Sequence, residues 1–357
     1  MRGVRCLLMR GGTSKGAYFL AEDLPADPAE RDDLLLRIVG GPDARQIDGV
    51  GGGHPLTTKV AVVSPSARPD ADVDYLFLQP DPETATVSDR QNCGNILAGV
   101  GPFAVERGLV APGPGGTTVR VHMVNSGSVA AATFATPGGA VRYDGDTAVS
   151  GVPGTAAPIR LDFTGTEGSA CGALLPTGNR RDVIDGIEVT CIDNGMPVVV
   201  AAAADLGLTG AETVDELTDP ALVRRVQSLR TRAGGLMGLG DVRDASIPKT
   251  TLVSAPRAGG TLSTRTFIPL KPHTSIGVLG AISVGTAALL EGTVAHAHAH
   301  APARPTGDRL SIEHPTGSLE VSIELDAASA RVRRSGVIRT ARKLFDGTAF
   351  PRSQESS

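Results

Sequence analysis

Two stretches of this chain share one layout, and that repetition narrows the folds open to it. TVRVHMVNSGSVAAATF (118–134) reads as a strand, a turn centred on Asn125-Ser126-Gly127 and a second strand. RLSIEHPTGSLEVSIEL (309–325) has the same layout around Pro315-Thr316-Gly317. Upstream of the first lies NCGNILAGVG (92–101) and upstream of the second TSIGVLGAIS (274–283), each a glycine turn running into a small-residue helix. Further upstream, RGGTSKGAYFLAEDLPAD (10–27) and IDNGMPVVVAAAADLGL (192–208) share a polar glycine turn, an apolar strand and an acidic break. Three elements in one order predict a duplication. The fold class is then α+β: two pseudo-symmetric halves, each with a central helix wrapped by a mostly antiparallel sheet.

The first half is expected over 1–184, with the C-terminal segment 338–357 returning to it, and the second over 185–337, the joint lying near RRDVIDG (180–186). Short strands are expected at 6–9, 16–20, 59–64 and 73–79, bounded by turn residues. Helices are expected over 28–39 and 219–233. In the motif helix Ile96, Leu97, Val100, Phe103 and Ala104 fall at helical spacing up to Gly108, with Pro102 expected to bend the axis.

A net charge of -4 supplies no basic surface for nucleic acid or an acidic membrane. No run of 18 apolar residues predicts a membrane span and no signal peptide is legible, so a cytoplasmic setting is expected. The four cysteines (6, 93, 171, 191) form neither a CxxC pair nor a dense disulfide framework. Aromatics are only 3% with no tryptophan, against 45 glycines, so stacking platforms are disfavoured and a small polar ligand fits better. No nucleotide-binding glycine motif is present, and no cofactor is expected. GTVAHAHAHAPARPTGD (292–308) carries alternating histidines but no nearby acid or cysteine, and reads as a flexible surface loop rather than a metal site.

Cys93 is unlike a packing cysteine, because its neighbours are Gln91, Asn92, Gly94 and Asn95. Helix N-termini carry unsatisfied N–H groups and partial positive charge. The backbones around Cys93-Gly94-Asn95 and Ser275-Ile276-Gly277 therefore make two donor sets suited to a small molecule with carboxylates at both ends, held between the halves. The same field favours a thiolate at the first turn, which makes Cys93 a candidate acid or base. The alternative is a helix-start cysteine that only packs.

The cysteine turn, the duplicated halves and DNGMPVV (193–199) resemble the diaminopimelate-epimerase-like superfamily, whose active site lies in the cleft between the halves. Those epimerases carry one cysteine per half. Here Ile276 stands where the second would be, which removes a two-thiol mechanism. MRGGTSKGAYFLAEDLPAD (9–27), GPDARQIDGVGG (41–52), PLTTKVAVVS (55–64) and NCGNILAGVGPFAVERGLV (92–110) are similar to the 4-oxalomesaconate tautomerases and the related 2-methylaconitate cis-trans isomerases. CGALLPTG (171–178), RTFIPLKPHTSIGVLGA (265–281), SIEHPTG (311–317) and RTARKLFDG (339–347) extend the likeness over nearly the whole chain.

The resemblance implies a working pair, Lys59 and Cys93. Lys59 opens the apolar strand VAVV, where partial desolvation favours a neutral amine able to act as a base. The implied reaction is cofactor-free proton transfer in 4-oxalomesaconate during bacterial breakdown of gallate- or protocatechuate-type aromatic acids, with an aconitate isomerisation as the rival. Expected substrate contacts are Arg10, Thr13, Ser14, Lys15, Asn92, Gly94 and Asn95, then Asn194, His273, Ser275 and Gly277, with Gln46, Gly51 and Gly52 as weaker candidates. His54 departs from the acidic residue expected at its position. The expected partner is a small unsaturated tricarboxylate, with no nucleic acid, no membrane, no metal, and a homodimer left open.

Overall fold

The computed structural model describes residues 3–89, 92–243, 245–300, 309–326 and 331–353. Gln91 and residues 301–308 of the histidine-containing insertion lie outside them. The chain forms two compact units, 1–162 with 338–357, and 163–337.

The first unit runs β1 (Val4–Gly11), β2 (Ser14–Leu20), α1 (Pro28–Val39), β3 (Lys59–Pro65), β4 (Val73–Pro80), β5 (Val87–Ser88), α2 (Gly94–Glu106), β6 (Gly116–Met123), β7 (Ser128–Ala135), β8 (Thr147–Ala148), β9 (Thr155–Ala156) and β10 (Pro158–Phe163). The second runs β11 (Asp182–Ile184), β12 (Ile187–Asp193), β13 (Pro197–Ala202), α3 (Pro220–Leu236), β14 (Lys249–Ser254), β15 (Leu262–Phe267), α4 (Val278–Leu289), α5 (Val294–His298), β16 (Arg309–His314) and β17 (Gly317–Leu325). A long last strand, β18 (Val332–Ala349), starts in the second unit and ends in the first.

In the first unit the strands follow the order β1-β2-β3-β4-β6-β7-β10-β18, and β18 pairs back onto β1, closing the ring. Helix α2 occupies its middle, packed against β1, β2, β3, β4, β6 and β7. It is buried without interruption from Ile96 to Ala104, so it is apolar on every side, as a helix enclosed by sheet must be. The helix continues unbroken through Pro102 to Glu106. Small residues allow the enclosure: a Cβ on Gly99 would lie 2.4 Å from the Tyr18 hydroxyl. Outside the ring, α1 covers the other face of the sheet, burying Leu35, Ile38 and Val39 against Phe19, Val60 and Leu78. Asp27 caps α1, its side chain accepting from Ala29 and Glu30 N–H.

The second unit repeats this plan with the order β17-β16-β15-β14-β13-β12-β11. The parallel pairs β2–β3 and β4–β6 have counterparts in β13–β14 and β15–β16, and the hairpins β1–β2 and β6–β7 in β12–β13 and β16–β17. Helix α4 is the buried central helix, and Asp219 caps α3 as Asp27 caps α1. The second-unit core gathers Leu222, Val226 and Leu229 of α3 against Val189, Val199 and Leu252.

Two readings of the sequence are corrected here. The stretch 180–186 is not a joint. It belongs to a hairpin in which β11 pairs antiparallel with β12, and Asp185 and Gly186 supply the two positive-φ turn positions (φ 53° and 77°). The division falls at Asp162/Phe163 rather than 184/185, because Glu167 bridges to Asn194 and the Gly168 N–H donates to Asp193 O. The segment after Gly292 is not wholly a loop either. Val294–His298 forms a short helix that buries Val294 and Ala295, and His296 Nδ1 lies 2.9 Å from Ala288 O.

Candidate active site

Strand alternation decides which side chains of the first unit meet α2. Met9 and Gly11 of β1 pair with Gly16 and Ser14 of β2, and Gly16 pairs with Lys59 of β3. Paired residues project from the same face, as do residues two apart along a strand. Tyr18 on this face donates to Ile96 O (2.6 Å), and Tyr75 of β4 to Cys93 O (3.3 Å), which identifies it as the α2 face. Gly11, Ser14, Gly16, Tyr18, Lys59, Tyr75, Phe77 and Gln79 thus share the face that packs on α2. Burial and the neighbouring Cys93 hold both tyrosines well above the usual phenol range, so both stay protonated donors.

Cys93 is the N-cap residue of α2, with extended backbone, a free thiol and half-buried surroundings. Its side chain makes no capping hydrogen bond, so the sulfur is not engaged by the helix it starts. Asn95 Nδ2 donates to Thr13 Oγ1 (3.0 Å), locking the first helical turn to the β1–β2 turn. That packing needs glycine: a Cβ on Gly11 would lie 2.3 Å from Asn95 O, and one on Gly12, whose φ is +48°, 2.2 Å from Asn95 Oδ1.

Lys59 is 7% exposed at the start of β3. Its Nζ donates to Gln79 Oε1 (2.6 Å) and sits 5.1 Å from the Phe77 ring centroid. Gln79 is held in turn by Thr58 O (2.7 Å). Among the described residues no carboxylate pairs with Lys59.

The other expected contacts divide. Ser14 is buried and its Oγ has no partner among the described residues, nor have the enclosed Oδ1 atoms of Asn92 and Asn95. Gly94 opens α2. Arg10 and Lys15 pair with each other and project from the opposite face, away from α2. Arg10 there donates to Gly12 O, Thr340 O and Thr340 Oγ1, strapping the turn to β18. Gln46, at φ 50°, accepts from Gly53 N–H and the Thr58 hydroxyl, which ties down the loop leading to Lys59. Gly51 and Gly52 leave room for that packing, since a Cβ on either would meet Gln46 or Thr57 within 2.3 Å. His54 is exposed and accepts from Leu56 N–H.

In the second unit Asn194 is fully buried and both its amide hydrogens are engaged, by Thr286 Oγ1 (2.9 Å) and Ser335 Oγ (3.1 Å). Its oxygen accepts from Thr166, so it anchors the β12–β13 turn on α4 and has no donor left for a ligand. His273 Nδ1 accepts from Ser275 N–H (2.9 Å), and burial pushes its imidazole below the ordinary value, favouring that neutral acceptor. Ser275 Oγ lies 3.2 Å from His314 Nε2. Gly277 is the N-cap of α4, and Ile276 beside it is 4% exposed, a packing residue where a second thiol is absent.

One residue escaped the sequence reading. Arg339 of β18 is 7% exposed and its Nε is enclosed without a partner. Burial lowers it to about 10, opposed by the charge of Cys93. The signal was at hand, since Arg339 opens the quoted motif RTARKLFDG, but a strand arginine cannot be told from a surface one without the fold. Among the described residues no His/Cys/Asp/Glu group suited to a metal is present, and no helix is long and apolar enough to cross a membrane.

The chain is 56% identical over 353 residues to a (4E)-oxalomesaconate Delta-isomerase of Novosphingobium sp. (strain KA1), covering 98% of each. It is 55% identical to a 4-oxalomesaconate tautomerase of Pseudomonas putida, over 96% of this chain and 95% of that one. A 2-methyl-aconitate isomerase of Shewanella oneidensis is 34% identical over 96% of each. Among solved structures, methylitaconate-delta-isomerase superposes with a TM-score of 0.89 at 33% identity, covering 100% of this chain and 99% of that one. A hydroxyproline epimerase from Agrobacterium vitis (TM-score 0.54, 15% identity, 98% and 91% covered) shares the fold alone, which is the diaminopimelate-epimerase-like α+β fold. The PrpF protein family matches residues 1–351, and the chain belongs to it.

Proposed function

We propose that this PrpF-family isomerase moves a proton within 4-oxalomesaconate, an unsaturated keto tricarboxylate, without a cofactor. The likeness to two full-length relatives named for that substrate carries the choice of substrate. A CH2 group between a ketone and a carbon–carbon double bond is acidic because its carbanion spreads into a dienolate. Lys59, buried and paired with no carboxylate among the described residues, takes that proton. The proton returns at the enol oxygen or at the far carbon of the conjugated system, with Cys93 as partner acid. The N–H groups of Gly94 and Asn95 at the start of α2 stabilise the developing charge. This chemistry suits a cytoplasmic step in bacterial degradation of gallate- or protocatechuate-type aromatic acids.

The test is an ultraviolet time course with 4-oxalomesaconate and, separately, 2-methyl-cis-aconitate. Wild type is expected to consume the keto acid, and Lys59→Ala to lose roughly 10²- to 10⁴-fold in kcat, the range for a positioned acid–base group. Turnover of the aconitate alone would move the protein to the rival substrate. Equal rates for mutant and wild type would remove Lys59 as the base.

A further inference from the structure

The buried guanidinium of Arg339 lacks the partner that such a group requires. No described residue accepts a hydrogen bond from it and none forms an ion pair with it, and its Nε is sealed from solvent. Buried charges are almost always paired, since water no longer solvates them. The missing partner is therefore an anion that the folded chain does not supply.

The register shows where that anion would lie. Ala341 of β18 pairs with Gly11 of β1, and Gly11 lies against the Asn95 backbone in the first turn of α2. Arg339, two residues before Ala341 on the same strand, shares that face. Its neighbour Thr340 is held by the Gly12 N–H at 2.8 Å, so the strand is fixed at this point. Cys93 is the one titratable group whose interaction with the guanidinium is felt, which places it as a neighbour. On the far side of Gly11, Ser14 shows the same face a second buried group with no partner, its hydroxyl.

We propose that Arg339, with the Ser14 hydroxyl, forms a carboxylate subsite beside Cys93 that holds one carboxylate of the substrate. That the carboxylate belongs to a tricarboxylate rests on the function proposed above, whereas the anion subsite itself does not. Arg10 and Lys15, the cations expected from the sequence, cannot fill this role because they project from the opposite face. A planar guanidinium can hold a carboxylate through two parallel hydrogen bonds and fix its direction.

The experiment is charge-selective alkylation of Cys93 in the full chain, followed by mass analysis of the peptide that carries it. Iodoacetate and iodoacetamide both attack the thiolate, so their rate ratio cancels any change in thiolate fraction and reads the local charge. Arg339→Gln is expected to lower the iodoacetate/iodoacetamide ratio about tenfold, and Arg339→Lys to keep it within about threefold of wild type. Propane-1,2,3-tricarboxylate should protect Cys93 in wild type and Arg339→Lys but not in Arg339→Gln. On a turned-over substrate, Arg339→Gln should raise KM about 100-fold while kcat changes less than tenfold. An unchanged ratio in folded Arg339→Gln would overturn the subsite. If that variant does not fold, a wild-type ratio no higher than that of a small neutral thiol peptide would do the same. Failure of every candidate substrate would sink the functional reading yet leave the alkylation ratio to decide this one.

Discussion

At the scale of single residues, the candidate site is defined by polar groups whose hydrogen-bonding capacity the protein leaves unused. Among the described residues Ser14, Asn92, Asn95 and Arg339 each keep a buried polar atom without a partner, and Lys59 has no acid beside it. Asn194 and the Gln46 oxygen look equally promising in the sequence but are engaged in holding turns, while Gln46 Nε2 stays enclosed without a partner among the described residues. His273 belongs to the second group, and it makes a pH prediction. Its folded-state value is lowered by burial and by the charge of Lys249. As pH falls below about 6.5 the unfolded chain binds this proton before the folded one does, so stability drops with acidification until the folded group titrates. The His273 contribution to the slope is at most about 1.4 kcal/mol per pH unit. Melting curves between pH 7 and 5 should therefore show a shallower acid loss for His273→Gln than for wild type. Equal slopes would mean that His273 is not the group responsible.

At the scale of elements, position depends on small residues and strand parity. Helix α2 lies inside a closed ring only because Gly99 and Gly101 face Tyr18 and Phe134 with no side chain of their own. Gly99→Ala would place a methyl 2.4 Å from the Tyr18 hydroxyl, which also donates to Ile96 O. We expect a destabilisation of about 1–3 kcal/mol, the usual cost of overpacking, visible as a lowered melting temperature. Because the displaced element carries Cys93, turnover should fall more than folding does. A Gly99→Ala protein with wild-type melting and kinetics would show that the helix has slack. Much at this scale was legible. The strands around 6–9, 16–20, 59–64 and 73–79 and the helix at 28–39 follow from alternation, helical spacing and turn residues. The Asp185-Gly186 hairpin was also legible in principle, as an Asp-Gly pair between apolar stretches.

At the scale of the whole chain, the last strand matters most. β18 closes the first ring by pairing with β1, so a chain ending at Val337 would leave β1 with an unpaired edge. Such a truncation should be insoluble or lack a cooperative thermal transition, read by circular dichroism. A soluble, cooperatively melting product would show that the ring closes without β18. The duplication, the two glycine-started central helices and the pairing of Lys59 with Cys93 as candidates are properties of the sequence itself. The first two follow from local turn chemistry, residue periodicity and motif order, none of which needs distant contacts, and the pairing is what the motifs' resemblance to a known family implies. Which polar side chains stay unsatisfied was decided only in the tertiary structure. Burial and register depend on strands hundreds of residues apart, and so Arg339 reached the α2 face while Arg10 was turned away from it.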